Sequence, residues 1–248
     1  AVLIIAIVAS ELGKAVSKET RVDILVTPLV TIFSGVGLSM LIAAPIGAAA
    51  SQVGTLIMWA TEQAPFLMGI LVSVIVGVAL TLPISSAAIC AALGLTGLAG
   101  GAAVAGCCAQ MIGFAVMSYK ENGVGGLVSQ GLGTSMLQMG NIVKNPRIWI
   151  APTLASAITG PLATCVFHFE MNGAAVSSGM GTCGLVGQIG VYTGWVSDIA
   201  AGTKAAITPM DWAAMVLLCF VLPAVLSVIF CEIERKLGWI KEGDLKLN

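Results

Sequence analysis

The stretch CVFHFEMNGAA, residues 165–175, contains the only histidine of the 248-residue chain, His168, and a glutamate two positions later, Glu170. An imidazole and a carboxylate in reach of each other suit general acid–base chemistry or contacts to a polar ligand. Residues i and i+2 point in different directions on a helix, but they share a face in an extended segment. A single histidine does not favour a metal site, so none is predicted.

The surroundings of this pair are those of a membrane protein. Hydrophobic residues make up 58% of the chain and charged residues only 9%, and the mean hydropathy is +1.01. A soluble domain carries about 25% charged residues. With a net charge of −1 and no basic stripe, the sequence excludes nucleic-acid binding. An ionisable group inside a membrane segment indicates a functional site; alternatively, the span has ended and both side chains are solvated at the interface.

The apolar segments predict a polytopic, all-α transmembrane protein. A helix needs about 20 residues to cross the bilayer, and five segments have that character, at 22–44, 65–82, 95–118, 148–169 and 210–231. Segment 49–63 is interpreted either as an interfacial helix or as a sixth crossing. Residues 10–21 and 197–209 are predicted as loops. The chain is interpreted as one membrane domain that ends in a charged cytoplasmic tail, residues 232–248.

The positions of the charged residues and the first residues of the chain lead to expectations about membrane orientation and about the N-terminus. Lysines and arginines accumulate both in the first loop and in the tail, which places both on the cytoplasmic side by the positive-inside rule. Residue 1 is alanine and the opening apolar run is too short to cross, so we expect the natural protein to extend further at its N-terminus. The seven scattered cysteines are interpreted as small buried hydrophobic residues.

A near repeat links two glycine-rich segments. GLVSQGLG at 126–133 and GLVGQIGV at 184–191 agree at four of their first five positions, including Gln130 and Gln188. Short, glycine-interrupted hydrophobic segments point to the binding site of a transporter, because irregular backbone at membrane depth must be buried in protein or line a cavity. We therefore predict re-entrant hairpins at 123–140 and 176–196. Alternatively, the match is chance and the glycines allow close helix packing.

Several amides are candidate ligand contacts. Gln130 and Gln188 carry the donor and acceptor that a sugar hydroxyl or a neighbouring main chain would use. Asn141 and Asn172 are similar candidates, with helix capping as the alternative role. Gln110 lies in the small-residue span 95–118 and is expected to face the same cavity.

Three stretches carry a family resemblance: TLPISSAAICAALGLTGLAGGAAVAGCCAQMIGFAVMSYKENG, KNPRIWIAPTLASAITGP and GMGTCGLVGQIG. They resemble the membrane family of phosphotransferase-system subunit IIC, in the branch that includes the perfringolysin O regulator, over nearly all of residues 21–235. The resemblance implies a homodimer in the bacterial inner membrane with re-entrant hairpins around a sugar site. Such a protein presents its sugar to a separate phosphorylated IIB subunit and needs no cofactor.

The resemblance also implies roles for single residues. A glutamate and a histidine commonly contact sugar hydroxyls in the family, which implies these roles for Glu170, as general base, and for His168. Gln130, Gln188, Asn172, Asn141 and Gln110 are the expected sugar contacts. The Gly-Ile-Thr-Glu motif of the glucose-type branch is not found in the chain. Two alternatives therefore stay open: a sensor or regulator that binds a small molecule without phosphorylating it, and an uncoupled transporter of another polar solute.

Overall fold

The computed structural model describes residues 2–17 and 23–247, which form two compact units, Ala1–Val53 and Gly54–Asn248. Apart from one isolated bridge, the described residues contain no strand, so the predicted all-helical class is confirmed. The α-helices are α1 Val2–Val16, α2 Asp23–Gln63, α3 Pro65–Thr81, α4 Ser86–Leu93, α5 Gly97–Met117, α6 Tyr119–Val128, α7 Met139–Lys144, α8 Ile150–Pro161, α9 Val186–Ala200, α10 Pro209–Val216 and α11 Leu222–Lys236. Between them lie π turns at Ser129–Gly133, Leu162–Val166 and Leu217–Val221, and 3-10 turns at Ser135–Gln138, Pro146–Trp149, Ala175–Gly179 and Cys183–Leu185.

The first unit contains α1 and the beginning of α2. Ala9 is buried and faces Gly35, where a Cβ would lie in ordinary van der Waals contact with it at 3.5 Å. The predicted loop 10–21 is wrong for residues 10–16, which continue α1, and residues 18–21 lie outside the described part of the chain. The helix continues because its charges are compatible with helical spacing: Glu11 and Lys14 pair at 3.9 Å across one turn.

Helix α2 replaces two predicted segments, 22–44 and 49–63, with one helix of 41 residues. It runs through Pro28 and Pro45, because each proline removes only one hydrogen bond and membrane helices tolerate this. The alanine-rich residues that follow Pro45 favour the helical state, since alanine is the best helix former.

The second unit is built around α5. This helix packs against α3, α8 and α11, and most of its residues are buried. Glycine and alanine let its neighbours approach closely: a side chain at Gly106 would collide with the main chain of Ser73. Within the part of the chain that the structure describes, three helical stretches have the length and hydropathy to cross a membrane: Gly97–Met117, Pro146–Val166 and Pro209–Lys236. The helices Leu25–Leu41 and Pro65–Thr81 are apolar but shorter.

Both predicted glycine-rich segments have irregular backbone. In the first, Gly123 kinks α6 with φ 60° and ψ −155°, and π and 3-10 turns follow. In the second, two 3-10 turns precede α9, and Leu185 has a positive φ of 59°. The predicted loop 197–209 begins later than expected, because α9 extends to Ala200. The predicted tail begins inside α11, which ends at Lys236.

The second unit has two distinct ends. The C-terminal ends of α5 and α11 lie with residues 119–149 and 237–247; we call this the tail end. The start of α5, residues 162–172 and the start of α10 lie at the opposite ends of the same helices; we call this the cavity end.

Candidate functional site

The helix that carries the sequence CVFHF ends earlier than predicted, at Val166. Its last turn is widened, with Phe167 N–H donating to the Leu162 carbonyl at 3.0 Å and Phe169 N–H donating to the Ala163 carbonyl at 2.8 Å. Between these donors His168 adopts φ 43°, in the left-handed region where histidine is more common than most side chains. His168 therefore ends the helix and turns the chain into an extended segment.

After His168, residues 169–172 run extended against the start of α5. Gly97 and Met171 exchange two main-chain hydrogen bonds, of 3.0 and 3.1 Å. Side chains alternate in such a segment: Phe169 and Met171 are only 3% and 0% exposed, while Glu170 is exposed on the other face. His168, Glu170 and Asn172 all line one cavity. His168 is left-handed rather than helical or extended, and the structure nevertheless brings it and Glu170 to the same cavity.

Glycines on two helices make room for this segment. A side chain at Gly101 of α5 would collide with the Phe169 carbonyl, and a Cβ at Gly194 of α9 would lie 2.8 Å from the Asn172 nitrogen. A real Cβ is not found so close to main-chain atoms. Close packing thus explains the glycines at these two positions, and it places Asn172 beside α9.

The cavity has a volume of about 530 Å³, within the range of roughly 300–1,000 Å³ typical of ligand sites. Asn172 Nδ2 donates to Glu170 Oε2 at 3.1 Å and to Asp198 Oδ2 at 2.9 Å. One amide thus holds two carboxylates at one wall. The complete lining is Val166, Phe167, His168, Phe169, Glu170, Asn172, Trp195, Asp198, Thr203, Lys204, Met210, Asp211 and Ala214.

An ion pair forms a second polar wall. Lys204 Nζ lies 2.7 Å from Asp211 Oδ1 and 5.5 Å from the centre of the Trp195 ring. Asp211 also caps α10, because its carboxylate accepts from Thr208 N–H at 2.7 Å. Neither Glu170 nor Asp198 forms an ion pair with any described residue. The cavity therefore combines one neutralised cation with two carboxylates that no cation compensates.

The contribution of residues 195–211 was not predicted, because residues 197–209 were interpreted as a loop and Asp211 as the beginning of the span 210–231. Three charged residues between two apolar segments, Asp198, Lys204 and Asp211, were the available signal. A second signal was aromatic: Trp195 and Trp212 flank these charges, and their ring centres lie 5.5 Å apart.

Gln130 and Asn141 lie at the tail end, away from the cavity. Gln130 Nε2 donates to Ser118 Oγ at 2.7 Å, and its Oε1 accepts from Gln138 Nε2 at 2.9 Å. Asn141 Nδ2 donates to Gln138 Oε1 at 2.8 Å and to the Lys246 carbonyl at 3.0 Å. The structure does not bring either amide together with Glu170.

Gln110 and Gln188 are buried between helices. Gln110 Oε1 accepts from Trp149 Nε1 at 2.9 Å, and its Nε2 donates to Ser156 Oγ at 3.3 Å. Gln188, 8% exposed, donates to Cys108 Sγ at 3.3 Å, but its Oε1 is buried without a hydrogen-bond partner. Buried amide oxygens are rarely left unpaired. Of the predicted site residues, only His168, Glu170 and Asn172 line the large cavity.

These features define an all-helical membrane protein with a polar cavity at one end. The family profile described as "Phosphotransferase system, EIIC" matches residues 1–247, so the chain belongs to that family and the predicted resemblance is confirmed. It is therefore a membrane component of sugar transport, a family that in general works with a sugar and a IIB partner. Neither a curated protein nor a solved structure matches the chain.

Proposed function

We propose that the protein is a multi-pass IIC-type permease of the bacterial inner membrane, which captures a sugar in the cavity lined by Glu170, Asn172 and Asp198. The observation that carries the proposal is the pair of carboxylates held by one amide beside Trp195. Ionised carboxylates only accept hydrogen bonds, and a sugar supplies several hydroxyl donors. An apolar ring beside a few convergent polar groups is the usual composition of a small-molecule site.

The charge distribution supports capture from outside the cell. Among residues 54–247, the cavity end carries a single basic residue, Lys204. The tail end carries seven, namely Lys120, Lys144, Arg147, Arg235, Lys236, Lys241 and Lys246. Cytoplasmic segments are rich in lysine and arginine. In our proposal the tail end is therefore cytoplasmic and the cavity opens to the opposite face.

Transfer to IIB then requires the sugar to move toward the tail end. We assign this movement to the glycine-broken segments 123–140 and 176–196, proposed as re-entrant hairpins of a homodimer. During this movement the unpaired Oε1 of Gln188 accepts a hydrogen bond from the sugar. The amides of Gln130, Asn141 and Gln110 contact the sugar after the packing around them rearranges. Glu170 acts as general base, helped by His168, only if segment 168–172 moves together with the sugar.

The test measures sugar binding and phosphoenolpyruvate-dependent phosphorylation in vesicles supplied with the cognate soluble subunits. We expect Glu170→Gln and Asp198→Asn to weaken binding at least tenfold, because each removes a charged acceptor. The control is Lys120→Gln, at the other end of the unit. Wild-type affinity in both cavity variants would exclude this cavity as the sugar site.

The ligand panel compares a hexose, a hexosamine and a hexuronate. With two uncompensated carboxylates in the cavity, we expect the hexuronate to bind about tenfold more weakly than the hexose, the size of a charge repulsion of roughly 1–2 kcal/mol. Asp198→Asn should reduce this difference. A hexuronate that binds as well as the hexose would contradict the assignment of charges.

One observation favours a second candidate, the sensor that binds without phosphorylating. The cavity and the basic tail end lie at opposite ends of the helices, so the bound ligand is remote from the surface assigned to IIB. Sugar binding without uptake and without phosphorylation would assign the sensor function. Uptake without phosphorylation would assign an uncoupled transporter.

A further inference from the structure

The residues that follow α11 dock on side-chain amides of the tail end. The Leu245 carbonyl accepts from Asn122 Nδ2 at 2.8 Å and from Gln138 Nε2 at 2.9 Å. Leu245 N–H donates to Glu121 Oε2 at 3.0 Å, and Leu247 N–H donates to Asn122 Oδ1 at 2.8 Å. All four bonds use main-chain groups of the tail, whose residues 242–245 form a turn.

The row of amides continues along the tail. Asn141 Nδ2 donates to the Lys246 carbonyl at 3.0 Å, and Asn145 Nδ2 donates to the Trp239 carbonyl at 2.9 Å. Recognition of main-chain groups by a fixed row of donors and acceptors, with pockets for single side chains, is a recurring mode of peptide binding. The side-chain pockets here hold Ile240 and Leu245, which are 3% and 0% exposed.

One amide connects the tail with the first glycine-broken segment. Gln138 Nε2 donates at 2.9 Å to the Leu245 carbonyl and, at the same distance, to Oε1 of Gln130. Gln130 lies in the π turn Ser129–Gly133, so the position of this turn depends on the group that also holds the tail. Lys246 and Leu247 also form one wall of a cavity of about 350 Å³, whose other wall includes Ser129 and Gly140.

We propose that residues 239–247 are a detachable latch, bound through its main chain to the side chains of the tail end, which holds segment 129–138 in place and forms one wall of the 350 Å³ cavity. The latch lies outside the apolar spans, so water can replace its hydrogen bonds when it leaves. Removal of the latch takes the Leu245 carbonyl away from Gln138. Only the side-chain bonds to Gln130 and Asn141 then hold Gln138, which loosens the turn that carries Gln130. The occupant of the groove is the protein's own tail, and a second peptide of the same sequence competes for the same amides.

Hydrogen exchange of the full-length protein in detergent tests the latch. In the wild-type protein we expect the amides of 239–247 to exchange faster than those of α5 but slower than in the isolated peptide. Leu245→Asp places a charge in the buried pocket and should accelerate exchange at least tenfold in both 239–247 and 129–138. Segment 168–172, at the cavity end, should keep its wild-type rate and thereby report that the protein remains folded.

A peptide comprising residues 239–247 provides a test that changes no residue of the protein. Excess peptide should displace the tail, accelerating exchange in the protein's own residues 239–247 while the groove stays protected. The same peptide with Leu245→Asp is the matched control and should have no effect. The proposal is contradicted if the wild-type peptide leaves hydrogen exchange unchanged. It is also contradicted if Leu245→Asp accelerates exchange in the tail while residues 129–138 keep their exchange rate.

Discussion

At the residue scale, His168 combines a structural position with a candidate ligand contact. Its φ of 43° is the conformation that glycine usually supplies at a helix end. A side chain in this region costs roughly 1–2 kcal/mol, so a residue chosen for stability alone would be glycine. The imidazole that lines the cavity therefore stands at a position where the backbone favours glycine, and strained residues of this kind cluster at functional sites.

Replacement of His168 separates the two roles. His168→Gly should stabilise the protein by about 1 kcal/mol, because it relieves the positive φ, yet weaken sugar binding by removing the imidazole. His168→Ala, the matched control, also removes the imidazole but keeps the Cβ. Chemical unfolding in detergent and ligand binding measure both effects. Equal stability of the glycine and alanine variants would show that the conformation carries no cost.

At the scale of elements, the glycines of α5 and α9 determine where the cavity wall lies. Segment 168–172 is held by the Gly97–Met171 bridge and lies against Gly101 and Gly194. The bridge is not a local contact, since more than 70 residues separate its partners along the chain. A helix end that depends on such a contact cannot be predicted from the local sequence. This explains why the predicted span 148–169 ends three residues later than the helix does.

Gly101→Ala tests this packing. The new Cβ would collide with the Phe169 carbonyl, and overpacking of this kind costs about 1–3 kcal/mol. We expect lower stability and loss of sugar binding, because Glu170 and Asn172 move with the main chain. Gly125→Ala is the matched control: no atom lies within 4 Å of its Cβ, so it should be neutral or slightly stabilising. Unchanged binding in Gly101→Ala would show that the cavity wall tolerates displacement.

At the scale of the whole molecule, hydropathy predicted the architecture but not the site. The spans around α5, α8 and α11 were recognised because long apolar stretches need no tertiary information. The near repeat of Gln130 and Gln188 suggested one shared cavity. Yet Gln130 binds Ser118 and Gln138, whereas Gln188 binds Cys108. Identical amides in similar sequences acquire different partners because packing, which no local pattern encodes, decides which donor they meet.

The orientation of residues 54–247 is a property of the molecule as a whole and can be tested with its own lysines. If the basic tail end is cytoplasmic, trypsin should cut after Lys144, Lys241 and Lys246 only in inverted vesicles, because these residues are exposed at that end. In right-side-out vesicles the cut should fall after Lys204, at a slower rate, because Lys204 is paired with Asp211. Lys204→Gln removes that cut and serves as its control. Cleavage of the tail in sealed right-side-out vesicles would reverse the orientation, and the cavity would then open to the side on which IIB resides.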